Sequence, residues 1–181
     1  MVLEHAFYRE TVQDSGVGDV RVIRQQLGTG VYAGVRIAVR GLSRGQGSVF
    51  AWNAGLNFPA RFASAVLLGV QRVMDAGVLA GLEVTDIHVS VEGGSYHEED
   101  STVDAFSEAA EKATIEAIRQ ARPLILEALS LVTIAVSRSL LDAVEATVTS
   151  HGGETKAIRF GGTLSNAWSP HSDIRGEKSD C

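Results

Sequence analysis

The sequence predicts an α+β fold, and three observations carry it. Residues 35–40 (Val-Arg-Ile-Ala-Val-Arg) alternate strictly, and Ile87, Val89 and Val91 alternate with Asp86, His88 and Ser90. A period of two marks a strand with one buried face. Phe62, Val66, Gly69 and Val73 recur at helical spacing, with Ala65, Val70 and Met74 beside them. Phe106, Ala110, Ala113, Ala117 and Ile118 form a second such stripe, opposite Glu108, Glu111, Lys112, Glu116 and Arg119. These patterns give the class but not the topology.

In order, a short strand ends at Thr11-Val12, and residues 14–18 (Asp-Ser-Gly-Val-Gly) read as a turn. Residues 20–24 are a strand, 25–34 a glycine-interrupted loop and 35–40 a strand. Residues 41–48 turn again, and 49–53 form a further strand with Phe50 and Trp52 on one face. This front part reads as an antiparallel meander. Pro59 opens a helix that Gly77 stops. The strand from about Thr85 is broken by Gly93-Gly94, and Ser95-Tyr96-His97 projects as a loop. Ser101-Thr102-Val103-Asp104 starts the second helix in the manner of a capping box, and Pro123 ends it.

After Leu124 the pattern begins afresh. Residues 131–136 (Leu-Val-Thr-Ile-Ala-Val) read as a strand and 139–151 as a helix with Leu140, Val144, Thr147 and Val148 at helical spacing. Residues 154–160 read as another strand. The residues that follow are polar and aperiodic, so 162–181 are expected to be a disordered tail. No internal repeat is present.

At 181 residues the chain can hold one domain or somewhat more, with ample core. A formal charge of −6 argues against a general nucleic-acid coat, though not against RNA contact through a small tip. The one cysteine is Cys181, which cannot form an internal disulfide and fits a cytoplasmic location. The first residues, Met-Val-Leu-Glu-His, carry no basic region and no long apolar run, so neither signal peptide nor membrane span is expected.

Several motifs resemble a known family. Gly77-Val78-Leu79-Ala80-Gly81, Val84-Thr85-Asp86 and Gly94-Ser95-Tyr96-His97, followed by Asp100-Ser101, look like domain IV of bacterial elongation factor G. The resemblance runs from about Phe7, through Tyr8-Arg9-Glu10-Thr11, to about Gly153. It implies a domain IV-like βαβ fold, of the type of the second domain of a small-subunit ribosomal protein, over residues 1–125. It also implies the first half of the ferredoxin-like domain V, a truncated β-α-β, over 126–161. In the family, domain IV enters the decoding region of the small ribosomal subunit, against rRNA and tRNA, during translocation.

The resemblance also implies which residues work. Arg24, Gln25, Gly28, Gly30, Tyr32 and Val35 keep the pattern of the first tip loop, and Thr29 stands where the family usually has arginine. Losing that cation removes a phosphate contact. Gly94, Ser95, Tyr96 and His97 match the second tip loop, and His97 is the residue expected to meet RNA by stacking or by donating to phosphate. A solvated loop histidine is the plainer alternative. Glu98-Glu99-Asp100 replaces the family's frequent Asp-Val-Asp and favours the following helix N-terminus electrostatically.

Other chemistries lack support. Residues 28–33 fit a loose dinucleotide pattern, but a strand follows where a helix must open. His88, His97, Glu98 and Glu99 match no metal-ligand spacing. No phosphate-binding loop occurs, so no GTP, metal or cofactor is expected, and the chain is not itself a GTPase motor. Two functions remain: a non-enzymatic translation module that contacts the ribosome through its tip, or a structural remnant that self-associates. The empty strand position of a half ferredoxin-like unit would favour a homodimer through residues after about Leu126.

Overall fold

The structure is a computed structural model that describes residues 8–26, 29–55 and 58–159. They fall into two units divided after Ser130.

In the first unit the strands are β1 (Tyr8–Val12), β2 (Ser15–Gln26), β3 (Thr29–Gly41), β4 (Val49–Trp52), β5 (Ile87–Ser95) and β6 (Pro123–Glu127). The helices are α1 (Ala63–Ala76), entered through a 3-10 turn at Ala60–Phe62, and α2 (Val103–Gln120). The main sheet has the order β2-β3-β5-β4, and β1 pairs with β6 in a separate two-stranded sheet. The expected α+β class with a βαβ unit is present: β4, α1 and β5 form it, because β4 pairs parallel to β5.

That pairing corrects the meander reading of residues 49–53. A parallel partner needs a long crossover, which the α1 segment supplies, and β4 takes the edge beside β5 rather than beside β3. β6 lies where only the end of α2 was expected, held antiparallel to β1 with Thr11 opposite Leu124.

One face of the main sheet is buried. Val22, Ala33, Val35, Ile37, Val39, Ile87, Val89 and Val91 all point into the core, while the alternate residues Arg36 and Arg40 are exposed. α2 packs on β2 and β3, and α1 packs on α2. The α1 stripe is buried as its spacing requires, through Phe62, Ala65, Val66, Gly69, Val70, Val73 and Met74. At Gly77 the backbone turns to φ 71°, a left-handed value that glycine accepts without strain and that stops α1.

Residues 14–18 are not a turn cluster, for β2 begins at Ser15. The two glycines lie inside the strand because α2 runs directly against it. A Cβ on Gly16 would strike the Ala117 carbonyl, and one on Gly18 the Ala113 carbonyl. The alanine stripe of α2 and the glycines of β2 together let helix and strand backbones approach closely. Residues 25–26 and 29–34 are likewise strand rather than loop: β2 continues to Gln26 and β3 starts at Thr29, in the register Gln25 opposite Gly30. β5 also runs through Gly93-Gly94 to Ser95, with a register shift at Arg36/Ile37. Local glycine content argued for breaks, but ladder pairing with β3 overrides it.

In the second unit the helix is α3 (Leu141–Ser150), preceded by a 3-10 turn at Arg138–Leu140. The two expected flanking strands do not form at 131–136 or 154–159. A strand needs ladder partners, and neither segment has one among the described residues. The half ferredoxin-like β-α-β is therefore corrected to a helix between irregular segments. Phe160 and the expected tail at 162–181 lie outside the described residues.

Candidate functional site

The long hairpin of β2 and β3 and the end of β5 bring the two sequence-predicted loops to one end of the main sheet. Gly34 lies opposite Ser95 and Val35 opposite Gly94, so the loop after β5 rises beside the start of β3. Tyr32 joins them: its hydroxyl meets Ser95 Oγ at 2.8 Å. Its backbone N–H donates to the Asp100 carbonyl at 2.9 Å, and its own carbonyl accepts from Ser101 Oγ at 2.7 Å.

The loop itself closes on Ser101, whose Oγ accepts from the His97 N–H at 2.9 Å. Ser101 is therefore not the helix cap. Thr102 is, through its side chain's acceptance from the Ala105 N–H at 3.2 Å. His97 and Tyr96 are exposed, with 58% of the His97 side chain open to solvent. His97 Nδ1 stands 3.3 Å from the Asp100 carboxylate. A shallow groove beside the loop is lined by Pro59, Ala60, Arg61, Tyr96 and Glu98, and Arg61 stacks over Phe62 at 4.7 Å.

The glycines of the site serve packing. Gly94 sits under the Phe58 ring edge and the Gly34 carbonyl, where a Cβ would be 2.6 Å from Phe58 Cε2. Phe58 in turn meets Phe106 edge to face, and Phe106 stacks on Phe62 at 4.2 Å. This aromatic column supports the strand end that carries the loop. Gly30 faces Asp100 from the other strand.

The remaining predicted residues are placed as follows. Arg24 is exposed, but its guanidinium pairs with Glu108 of α2, which also takes Lys112 Nζ at 2.8 Å. The Lys112 hydrogen bond, with Arg24 adding, holds the Glu108 carboxyl below the usual carboxylate range. Arg24 is therefore shared with a carboxylate rather than open to phosphate. Gln25 is exposed near the end of β2. Thr29 begins β3 opposite Gln26, described by its backbone alone, and Gly28 lies outside the described residues. Sequence reasoning named Tyr32, Asp100 and Ser101 only as parts of motifs and gave none of them the role of holding the tip loop. Tyr32 was visible in the loop pattern, but its union with Ser95 depends on strand register, which no local pattern encodes.

Among the described residues no group of three or more His, Cys, Asp or Glu is arranged to hold a metal ion. No helix among them is long and apolar enough to cross a membrane.

Comparison with known proteins gives the same outline. The family model for elongation factor G, domain IV, matches residues 6–122. The chain is 40% identical over 121 residues to elongation factor G 2 of Syntrophomonas wolfei subsp. wolfei, covering 66% of this chain and 17% of that protein. A crystal structure of a Thermus thermophilus protein matches with a TM-score of 0.62 at 30% identity, over 68% of this chain and 18% of that one. The chain thus spans less than a fifth of the length of these relatives. With motifs, βαβ topology and family match in agreement over the same residues, the chain belongs to the elongation factor G family through its domain IV.

Proposed function

We propose that this chain is a non-enzymatic, translation-factor-like module that contacts the small ribosomal subunit in its decoding region through the tip. The observation that carries the reading is the exposure of Tyr96 and His97 at the end of a sheet whose strands, aromatic column and hydrogen bonds hold their loop. Gly94, Ser95, Tyr96 and His97 form one side of the contact, and Arg24, Gln25, Gly28, Thr29 and Gly30 the other. With Glu98, Glu99 and Asp100 at hand and Arg24 engaged by Glu108, the contact relies on stacking and hydrogen bonding more than on charge.

A second reading has its own support. Leu129, Leu131, Val132 and Ile134 are exposed in the described chain, in an uncharged apolar run suited to self-association. It favours a homodimer through residues after about Leu126 that leaves the ribosome alone.

Sucrose gradients with purified ribosomes separate the two. Co-migration that falls only modestly with rising salt is expected, since few cations face the RNA, with His97→Ala weakening it by about 1–2 kcal/mol, roughly 5- to 30-fold, as for loss of one base stack. The variant is expected to keep the wild-type melting temperature, because the side chain is exposed. Free protein that sediments as a dimer and never joins the ribosome peak would replace the first reading with the second.

A further inference from the structure

Strand β3 and the loop after β5 meet where the Asp100 side chain packs against Gly30. A Cβ on Gly30 would stand 2.5–2.7 Å from Cγ and both carboxylate oxygens of Asp100. The backbone of Asp100 is fixed as well, since its carbonyl accepts from the Tyr32 N–H. Its carboxylate then stands 3.3 Å from His97 Nδ1. The negative charge of the carboxylate beside Nδ1 disfavours a lone pair on that nitrogen and favours a proton there. The partner of one ring nitrogen sets the role of the other.

We propose that Asp100 is the positioning residue of the tip: seated against Gly30, it holds the neutral His97 imidazole with its proton on Nδ1, leaving Nε2 as a hydrogen-bond acceptor for the ribose 2′-hydroxyl of RNA. The ligand half rests on the tip reading above; the positioning half rests on the Gly30–Asp100–His97 packing alone. Three successive carboxylates, at Glu98, Glu99 and Asp100, disfavour phosphate beside the ring. A neutral donor suits the site better, and the 2′-hydroxyl is the donor that separates RNA from DNA.

Long-range proton–nitrogen NMR on the full chain, at pH about 8 and so above the ordinary imidazole range, reads which nitrogen is protonated. The spectrum of His97→Ala assigns the signal among the five histidines. The wild type is expected to carry the proton on Nδ1. Asp100→Ala is expected to move it to Nε2, the form an unrestrained imidazole prefers, and Gly30→Ala to do the same by displacing the carboxylate. Asp100→Asn retains an acceptor oxygen and is expected to restore the Nδ1 proton. A wild-type proton on Nε2, or no change in Asp100→Ala, would overturn the positioning role. The ligand half is read by comparing a short single-stranded RNA with the DNA of the same sequence. The wild type is expected to prefer RNA at least 5-fold and Asp100→Ala to lose the preference, while equal affinity in the wild type overturns the 2′-hydroxyl assignment. The expected NMR result without any ribosome binding refutes the tip reading and the acceptor role, and leaves the positioning by Asp100 standing.

Discussion

Glu10→Ala is expected to destabilise the protein by about 3–5 kcal/mol, the cost of breaking a buried charge network. The Glu10 side chain is fully buried. Its carboxylate accepts from the backbone N–H groups of Val78 at 2.6 Å, Ala80 at 2.7 Å, Leu79 at 3.0 Å and Leu82 at 3.4 Å. These are the donors of the turn that leaves α1, and no other described group replaces the acceptor. The Glu10 backbone holds the following segment too: its N–H donates to the Glu83 carbonyl and its carbonyl accepts from the Thr85 N–H. One residue of β1 therefore fixes the whole connection from α1 to β5, and with it the start of the strand that ends in the tip.

Acid should reveal the same residue. Burial pushes the Glu10 carboxyl up, but the four backbone donors together outweigh it and hold the carboxyl below its ordinary range. A carboxyl depressed in the folded state contributes stability that is complete above its unfolded value, about 4.3. That contribution falls away as pH drops through the folded value. Urea titrations from pH 7 down to about 3 are expected to show a wild-type loss that Glu10→Gln lacks. Parallel curves for the two proteins would contradict the assignment.

Phe106→Ala is expected to cost about 3–5 kcal/mol, as large-to-small changes of core aromatics do. The ring is wholly buried, stacked on Phe62 with an interplanar angle of 21° and met edge-on by Phe58, which in turn meets Trp52 at 5.3 Å. Losing it opens a cavity that the neighbouring rings cannot fill by small shifts. Since Phe58 also covers Gly94, the strand end under the tip should loosen. Guanidinium unfolding followed by circular dichroism measures the cost, and a loss below about 1 kcal/mol would contradict the packing described.

The elements most legible in the sequence were those with their own periodicity. The stripes of α1 and α2 and the apolar positions of β3 and β5 are buried where the spacing placed them, although Asp86 and Ser90, expected on the open face, are buried as well. The failures are non-local. Nothing within residues 49–52 states that β4 pairs parallel with β5, and nothing in 123–127 states that β1 waits to pair with it. Glycine misled in both directions. Gly16 and Gly18 looked like a turn and are a helix seat; Gly93 and Gly94 looked like a break and lie in a paired strand. In 131–136 and 154–159, strand-like composition met no partner and no strand formed. For the candidate site, the motif residues Ser95, Tyr96 and His97 were readable. The Tyr32–Ser95 and Asp100–Gly30 contacts were not, since they join residues far apart in sequence.

Site-specific cross-linking asks directly whether the tip touches ribosomal RNA. A photoreactive phenylalanine analogue replaces Tyr96 in one protein and Gln46 in another. Gln46 lies beyond the other end of β3, roughly 25 Å away by the strand rise from the position beside Tyr96, next to Gly34, to Gly41. Its loop is held there by the N–H groups of Gly45 and Gly47 donating to the buried Asp86 carboxylate at 2.9 and 2.8 Å. On irradiation with ribosomes, the probe at position 96 is expected to join small-subunit rRNA in the decoding region and the probe at 46 to leave it unlabelled. Equal labelling from both positions, or none from position 96 while the protein is bound, would contradict the ribosomal role of the tip.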